Sequence, residues 1–520
     1  MHGRLPTGKV PWDLVAKSLE IRLPPAVVLG PGAGEDAALV TIGGELWAVA
    51  TDPISLAAAD AGRLAVTVNA NDVAVRGGTP RFFLVVLMLA PDEATEDLVD
   101  GILRQVRSAC DAIDVALIGG HTEVTEGLSR SLVVGTMLGR VAGRPITTGG
   151  LRLGDLVGLT KWVGLEGTSI LLSEFGPRLR AAHPVDTFAR CQELLDGDWL
   201  SVIPEAAVAA ANSAVTAMHD VTEGGIGEAL YEMERASGLG IEVDVEQLPI
   251  LPETRLICDD LGMDPMGLIG SGSLLFGCSP EGRHGLEADL TDAGIRFAWI
   301  GRAVAERGPV PKSVPRFERD EILKPLSARG IEAVVFDMDG TLIDSEYDWP
   351  AIRQRLGVTA PSIIDELNGL PEADRESKWR ELRSIERQAT LGAELRAGAT
   401  ALLAILRERG LATALVTNNS DDNTRLLLDR FDLDFEVVLT RDSGLWKPSG
   451  APIAEAVRQL GVAPNRVLAV GDSRYDLDAA REAGCGRVCL LYGAAERYRD
   501  HADLAFPDLG ALTRYLRIVL

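Results

Sequence analysis

The sequence predicts a multidomain protein that combines α/β and α+β architecture. Its 520 residues exceed what one hydrophobic core normally organises. Short apolar runs that end in polar side chains recur along the chain, and segments with helical periodicity separate them. This alternation is typical of strands and helices whose polar strand ends share one edge of a sheet. We therefore expect chemistry at those strand ends.

The most informative stretch lies at residues 331–345. Ala333 to Phe336 is a short apolar run of the kind found in a buried parallel strand, and it ends in Asp337 and Asp339. One carboxylate can attack as a nucleophile while the other, two residues on, moves a proton. Two acids at a strand end are also common as solvated surface groups. Further polar groups at the same sheet edge are therefore needed to decide between the two interpretations.

Later predicted strand ends supply those groups. Thr417 and Asn418 follow one strand, and a hydroxyl and an amide are suitable donors to phosphate oxygens. Lys447 stands before a proline and can offer a fixed positive charge to a phosphate. Asp472 follows a further strand, with Asp476 four residues on. Four such motifs in order favour a phosphoryl-transfer site over a chance arrangement.

The motif Asp-Met-Asp-Gly-Thr and these later residues resemble the haloacid dehalogenase-type phosphatases, in their phosphoglycolate phosphatase-like branch. The resemblance implies a Rossmann-like domain at 331–520 with a small helical cap at about 346–395. It implies that Asp337 forms an aspartyl-phosphate and that Asp339 protonates the leaving alcohol and then activates water. It also implies phosphate binding by Thr417, Asn418 and Lys447, and Mg²⁺ binding by Asp337, Asp339, Asp472 and Asp476.

The first two-thirds of the chain carries a second series of polar residues beside glycines and strand ends. Glycines let a backbone approach an anion closely, and neighbouring carboxylates can hold the Mg²⁺ ions that bridge to phosphates. A strand over Asp114 to Ile118 is expected to end just before the paired glycines 119 and 120. The motifs, in order, are Gly34-Glu35-Asp36-Ala37-Ala38, Thr51-Asp52, Asn71-Asp72-Val73-Ala74, Gly119-Gly120-His121-Thr122-Glu123 and His219-Asp220-Val221-Thr222-Glu223-Gly224-Gly225.

This ordered set resembles the aminoimidazole ribonucleotide (AIR) synthetase-like superfamily, over roughly residues 25 to 305. The resemblance implies an N-terminal lobe at 1–145, a C-terminal lobe at 146–305, ATP and Mg²⁺ binding, and a homodimer. The helix that Gly224-Gly225 opens is expected to suit an anion at its N-terminus. The implied nucleotide and Mg²⁺ contacts are Asp36, Asp52, Asn71, Asp72, Glu123 and Asp220.

Departures from the known members leave the substrate of this region open. A selenophosphate synthetase would carry a reactive cysteine near its N-terminus, whereas the first cysteine here is Cys110. The hydrogenase maturation dehydratase works through a C-terminal cysteine tail, whereas this region continues past Gly301 into a linker and a further domain. His121 stands where purine-type and thiamine-type members usually have an acid. The local sequence around the paired glycines is most similar to that of members related to the purine and hydrogenase proteins.

Composition bounds the remaining classes of function. A net charge of −25 disfavours nonspecific nucleic-acid binding, which needs clustered cations. The longest apolar run, Phe82 to Ala90, is too short for a membrane span, and the first residues lack the apolar core of a signal peptide. The six cysteines form no metal-type or disulfide framework. We therefore expect a cytoplasmic enzyme.

Residues 306–330 are predicted to form an extended linker with a short helix over Arg319 to Leu326.

The leading hypothesis is a bifunctional Mg²⁺-dependent enzyme, a phosphatase for a small phosphomonoester joined to an ATP-using domain. Two alternatives remain open at this stage. The N-terminal region could be a nucleotide-sensing or dimerising module that regulates the phosphatase. The C-terminal domain could be a phosphotransferase or mutase instead of a hydrolase.

Overall fold

The computed structural model describes residues 8–19, 21–54, 60–189, 191, 199–305, 314–317, 319–345, 347–360, 362–492, 498 and 501–520. The chain divides into two compact units. The N-terminal unit comprises Met1–Asp259 and Met263–Leu323, and the C-terminal unit comprises Asp260–Gly262 and Lys324–Leu520. The predicted combination of α/β and α+β architecture is confirmed, and each unit is described separately below.

The first half of the N-terminal unit is built on a six-stranded sheet. Helix α2 is almost wholly buried, which explains why alanine, valine and leucine fill so many of its positions. The strands have the spatial order β1-β2-β3-β6-β4-β5. The strands are β1 Val27–Leu29, β2 Ala38–Ile42, β3 Glu45–Ile54, β4 Thr79–Leu89, β5 Ala116–Val124 and β6 Leu132–Val141; the helices are α1 Trp12–Ala16, α2 Ala61–Val75 and α3 Glu96–Ala112.

The second half of the N-terminal unit is built on a five-stranded antiparallel sheet of order β8-β10-β7-β11-β9. Apolar residues from these strands and from helix α6 form a shared core. The strands are β7 Leu156–Thr160, β8 Val215–Asp220, β9 Gly240–Val243, β10 Leu274–Cys278 and β11 Phe297–Val304; the helices are α4 Leu165–Ala182, α5 Ile203–Ala211, α6 Gly225–Ser237, α7 Pro252–Leu261 and α8 Arg283–Asp292.

The C-terminal unit contains a six-stranded, fully parallel sheet of order β16-β15-β12-β17-β18-β19. The central strand β12 has the predicted bounds, and all four of its residues are buried. The strands are β12 Ala333–Phe336, β15 Ala412–Val416, β16 Val437–Leu439, β17 Val467–Gly471, β18 Arg487–Leu491 and β19 Leu504–Phe506; the helices are α9 Leu323–Leu326, α13 Ala399–Glu408, α14 Asp421–Phe431, α15 Ala451–Leu460, α16 Arg474–Glu482 and α17 Leu509–Val519.

Three helices separate the first strand of this sheet from the rest of the unit and form the cap. They are α10 Trp349–Leu356, α11 Ile363–Asn368 and α12 Glu372–Gly392. Their apolar faces pack on one another in a small core of their own. A two-residue strand pair, β13 Ile343–Asp344 with β14 Glu394–Leu395, joins the two ends of the insertion. Residues 346 and 361 of the predicted cap lie outside the described residues.

Strand β5 differs from the prediction in length. It was expected to end before the paired glycines, but it continues through Gly119 and Gly120 to Val124. Pairing with β4 extends along this whole segment. A Cβ atom on Gly120 would lie 1.8 Å from the Val85 carbonyl oxygen, so this glycine reflects close backbone approach and not a turn. Glu123 therefore lies on an exposed edge strand and not on a loop after a strand end.

The predicted linker is partly integrated into the N-terminal unit. Residues 306–313 and 318 lie outside the described residues. Arg316 pairs with Glu228 at 3.1 Å, and buried Asp320 accepts hydrogen bonds from the main chain of this unit. The expected helix over Arg319 to Leu326 is reduced to the single turn α9, because Asp320 caps neighbouring main-chain amides instead of continuing a helix.

Over the part of the chain that the structure describes, every helix is too short or too polar to cross a lipid bilayer.

Candidate active sites

The carboxyl ends of three adjacent strands meet at one edge of the C-terminal sheet. Strand β12 lies between β15 and β17, so Asp337, Thr417 and Asp472, which directly follow these strands, are neighbours. Asp337 and Thr417 are buried, and Asp472 is half-buried. The strand order thus brings together residues that are 135 positions apart at most (472 − 337).

Asp337 forms an ion pair with Lys447. Among the described residues, no other cationic side chain lies within ion-pair distance of Asp337. The Lys447 ammonium is 2.5 Å from Asp337 Oδ1 and 2.6 Å from Asp476 Oδ1. Burial lowers the pKa of Lys447, but the two carboxylates raise it further, so the lysine stays charged. Burial raises the pKa of Asp337, and the ammonium opposes that rise. The ion pair therefore favours the ionised form of Asp337, which is the form that could attack phosphorus.

Asp339 is held by two donors. Ser345 Oγ donates to Asp339 Oδ1 at 2.6 Å, and Asn419 Nδ2 donates to Asp339 Oδ2 at 3.0 Å. Burial raises the pKa of Asp339, and these hydrogen bonds lower it. A carboxyl with a raised pKa beside a nucleophile can carry a proton, which is what a general acid requires. The contacts of Ser345 and Asn419 with Asp339 depend on the fold, so the sequence alone does not specify them.

Asp472 and Asp337 share a contact with one hydroxyl group. Thr341 Oγ1 lies 3.2 Å from Asp337 Oδ2 and 3.4 Å from Asp472 Oδ1, so it bridges the two carboxylates. Burial and the nearby Asp476 raise the pKa of Asp472 to about 7. Gly340 has φ of +90°, and a Cβ atom there would lie 2.3 Å from Asp472 Oδ2. Any side chain at this position would displace Asp472.

Asn418, a predicted phosphate ligand, and Asp476, a predicted metal ligand, both form hydrogen bonds with Lys447. The Asn418 side chain accepts from the Lys447 amide and donates to its carbonyl, so it fixes the lysine loop. Asp476 accepts from the Ser473 hydroxyl at 2.6 Å and from Lys447. Asp337, Asp472 and Asp476 each offer one oxygen within 4.8 Å of the others, a spacing that could hold a metal ion. Their oxygen donors are those that Mg²⁺ prefers.

A cavity of about 350 Å³ lies between this site and the cap. A buried ion pair joins the two: Arg441, which follows β16, holds Glu386 of α12 in a bidentate contact with one N–O distance of 2.6 Å. Arg441 also donates to the Asn418 carbonyl oxygen at 3.1 Å. The cap is therefore tied directly to the loop that follows β15.

The N-terminal unit has a separate cavity of about 560 Å³, and nine acidic residues are among those that line it. Asp36, Asp52 and Asp72, predicted from separate motifs, all line it. Burial raises the pKa of Asp52 to about 6 and that of Asp72 well above its usual range, and neighbouring carboxylates add to both shifts. A divalent cation would neutralise this repulsion.

Asp220 is buried against the same cluster. Neither of its carboxylate oxygens has a hydrogen-bond partner among the described residues. Burial and the charge of Asp36 raise its pKa to about 8. Asp36, His219 and Asp220 each offer one atom within 4.8 Å of the others. An unsatisfied buried carboxylate in such a cluster fits a metal ligand, because a bound cation would satisfy it.

A chain of charged contacts, not foreseen from the sequence, links this cluster to the N-terminal segment. His219 lies 2.8 Å from Asp36 Oδ1 and 3.0 Å from Glu232 Oε2, and Lys9 Nζ lies 2.5 Å from Glu232 Oε1. Burial lowers the pKa of His219, but the two carboxylates raise it to about 10 overall. Arg76 is buried and pairs with Asp36 at 2.7 Å. The His-Asp motif contained His219, but only the fold shows what it contacts.

The structure shows the surroundings of three further positions that the sequence singled out in this unit. Asn71 bonds the Leu200 carbonyl and the Val202 amide, so its side chain anchors main chain. Glu123 lies on the edge strand and contacts His121 and Thr125. The N-terminus of helix α6 already has an anion, because Asp320 accepts from the Gly224 amide at 2.7 Å.

Comparison with protein-family models assigns both units to a class. Residues 34–141 match the N-terminal domain of AIR synthase related proteins, residues 152–312 match their C-terminal domain, and residues 347–484 match haloacid dehalogenase-like hydrolases. The chain therefore joins the two AIR synthase-related domains to a haloacid dehalogenase-like hydrolase domain, as predicted. The last match begins after Asp337 and Asp339, which follow strand β12 of the same sheet as the matched strands β15, β16 and β17.

Individual relatives cover one part of the chain or the other. Carbamoyl dehydratase HypE of Rhodobacter capsulatus is 29% identical over 310 residues, which is 58% of this chain and 87% of that protein. An uncharacterized hydrolase of Saccharomyces cerevisiae is 29% identical over 198 residues, 36% of this chain and 91% of its own length. The crystal structure of the hydrogenase maturation protein HypE of E. coli is 21% identical, covers 53% of this chain and 87% of that chain, and has a TM-score of 0.45.

Proposed function

We propose that this chain is a bifunctional, Mg²⁺-dependent phosphoryl-transfer enzyme of the cytoplasm. Its C-terminal domain hydrolyses a small phosphomonoester through an aspartyl-phosphate, and its N-terminal domains use ATP. The observation that carries the phosphatase proposal is the buried contact of 2.5 Å between Lys447 Nζ and Asp337 Oδ1, with Asp339 two residues on. A nucleophile, a fixed cation and a proton carrier thus lie at one sheet edge.

In the first step, an Asp337 oxygen attacks phosphorus and the bond from phosphorus to the alcohol oxygen breaks. Asp339 donates a proton to that oxygen, so the leaving group departs as a neutral alcohol. Lys447 and the Thr417 hydroxyl stabilise the negative charge on the phosphoryl oxygens. The product of this step is a phosphoryl group on Asp337.

In the second step, Asp339, now ionised, takes a proton from a water molecule as that water attacks phosphorus. The bond from phosphorus to the Asp337 oxygen breaks, inorganic phosphate leaves, and both aspartates return to their starting states. Ser345 and Asn419 hold Asp339 in one orientation through both steps. Asp337, Asp472 and the Asp339 main-chain carbonyl would hold Mg²⁺, which supplies charge neutralisation between carboxylates and phosphate.

Phosphate release from a panel of phosphomonoesters tests the proposal. We expect the full-length protein to release inorganic phosphate with Mg²⁺ and to lose this activity in excess EDTA. Readdition of Mg²⁺ should restore it, because the carboxylates repel one another without a cation. Transfer of phosphate to an added alcohol without release to water would instead favour a phosphotransferase or mutase.

The N-terminal proposal is supported by the acidic cavity and by the unpartnered Asp220 carboxylate in the described part of that unit. ATP carries its phosphates as Mg²⁺ complexes, so a buried carboxylate cluster is suited to bind it. The HypE relative is a carbamoyl dehydratase. All six cysteines of this chain are buried, which disfavours a thiol-borne carbamoyl group.

We expect Asp220→Asn to stabilise the metal-free protein and to abolish the additional stabilisation by Mg²⁺ with ATP. The folded-state pKa of about 8 exceeds the ordinary 3.8, so the ionised carboxylate destabilises the folded state. This destabilisation is complete above about pH 8 and vanishes as the pH falls to about 4. Melting temperatures of the wild type and of Asp220→Asn in EDTA test this: the variant should melt higher above about pH 8, and the difference should vanish at about pH 4.

The surface variant Asp100→Asn is the control, since Asp100 is an exposed residue of helix α3. An equal rise in melting temperature on adding Mg²⁺ and ATP to the wild type and to Asp220→Asn would contradict the assignment. ATP turnover is best measured in the full-length Asp337→Asn protein, which removes the phosphatase background. Binding without turnover there would favour the sensing module.

A homodimer through the N-terminal unit is part of the proposal. Strand β5 lies at the edge of its sheet, and Leu117, Ile118 and Val124 on it are exposed. An exposed apolar edge strand is an unfavourable surface for a monomer, and pairing with a second copy would cover it.

A further inference from the structure

The cavity above the proposed nucleophile has an aromatic and aliphatic roof. The cap contributes apolar side chains, while the polar residues of the reaction form the floor. Its volume of about 350 Å³ leaves room for a leaving group as well as a phosphate. The apolar roof residues are Tyr347, Trp349, Ile363, Ile364 and Leu382.

Tyr347 and Trp349 form a stacked pair within this roof. Their ring centroids are 4.6 Å apart and their planes differ by 26°. Trp349 is 43% exposed, and it is one of two large exposed apolar side chains among the described residues of the C-terminal unit. The other, Leu391, does not line the cavity. An exposed tryptophan that faces a catalytic cavity is typical of a ligand contact.

The stack begins beside the proton carrier. The Tyr347 hydroxyl lies 3.3 Å from Asn419 Nδ2, and that same nitrogen donates to Asp339 Oδ2. The leaving oxygen must lie next to Asp339 when it receives its proton. The alcohol part of a substrate held there shares the cavity with the rings of Tyr347 and Trp349.

The two guanidinium groups that line the cavity are already engaged. Arg441 pairs with Glu386, and Arg353 donates to the Ala360 carbonyl oxygen at 2.5 Å. A second anionic group on the substrate would have to compete with these contacts. An uncharged ring finds an unobstructed surface instead.

We propose that the substrate is a phosphomonoester whose alcohol part carries a planar aromatic ring, which packs against the Tyr347–Trp349 stack. This inference rests on the proposed phosphatase function. It assigns to the cap a preference for ring-bearing alcohols over aliphatic ones of the same length.

Two primary alkyl phosphates of similar length test this preference, 2-phenylethyl phosphate and n-hexyl phosphate. Both release an unactivated primary alcohol, so the ring is the main difference between them. Stacking of a ring on an aromatic side chain is worth roughly 1–3 kcal/mol, so we expect kcat/KM to favour the ring-bearing substrate by about tenfold. Trp349→Leu should reduce this ratio to about one, because the stack is lost.

Trp379→Leu is the matched control, and it should keep the ratio. Trp379 also lies in the cap, but it lines a different groove and contacts Arg441. A ratio near one in the wild type, or an unchanged ratio in Trp349→Leu, would overturn the inference. So would a substrate panel whose hydrolysed members lack rings. Loss of all phosphatase activity with Mg²⁺ would instead contradict the function on which the inference rests.

Discussion

The Asp337→Asn protein is expected to release phosphate from any phosphomonoester at the background rate. The amide cannot attack phosphorus, and no other described carboxylate is paired with Lys447 except Asp476, which Ser473 also holds. Loss of a nucleophile typically slows an enzyme by roughly four orders of magnitude or more. Steady-state phosphate release with Mg²⁺ measures the effect.

Asp344→Asn is the matched control for this substitution. Asp344 follows the same motif, but its side chain is 47% exposed and pairs with Arg396 at 3.4 Å. It should retain wild-type activity. Near-normal activity in Asp337→Asn, with loss in Asp344→Asn, would show that the nucleophile has been placed on the wrong aspartate.

Lys447→Met is expected to abolish phosphate release and to destabilise the C-terminal domain. The lysine is buried between Asp337 and Asp476, so methionine leaves two buried carboxylates without their cation. Removal of one partner from a buried ion pair commonly costs about 3–5 kcal/mol. The free energy of unfolding at pH 7, from urea titration, measures this loss.

The pH dependence of that loss separates electrostatics from packing. Burial already raises the pKa of Asp337, and loss of the ammonium removes the group that opposes this rise. Protonation relieves the uncompensated charge, so the difference from the wild type should shrink as the pH falls through the raised pKa of Asp337. Lys378→Met, at a half-buried cap position whose ammonium lies 3.8 Å from Glu381, is the control. A loss that is independent of pH would indicate a packing effect alone.

The strand-end residues of the C-terminal unit could be predicted from the sequence. In a parallel sheet, the order of the strands is almost enough to decide which strand ends are neighbours. Asp337, Thr417 and Asp472 each directly follow a short apolar run, and adjacent parallel strands bring such positions to one edge. Asn419 and Ser345 could not be predicted in the same way. Their hydrogen bonds to Asp339 depend on how two loops approach, and a single sequence does not specify that.

The N-terminal unit was harder to predict because its site is assembled from both of its sheets. Asp36 and His219 are 183 positions apart, yet their side chains are in contact. The paired glycines at 119 and 120 were misleading, since glycine serves close strand pairing as well as turns. Asn71 has a side chain suited to ligand binding, but the main chain at 200–202 uses its hydrogen-bonding groups.

The most direct test of the proposed chemistry is detection of a phosphoryl group on Asp337. The Asp339→Asn protein should be mixed with p-nitrophenyl phosphate, whose leaving group needs no proton, and then quenched in acid. Because water activation would fail, the phosphorylated protein should accumulate, and peptide mass spectrometry should find the phosphoryl group on Asp337. A phosphoryl group on another residue, or turnover with no covalent form on rapid quenching, would contradict the account.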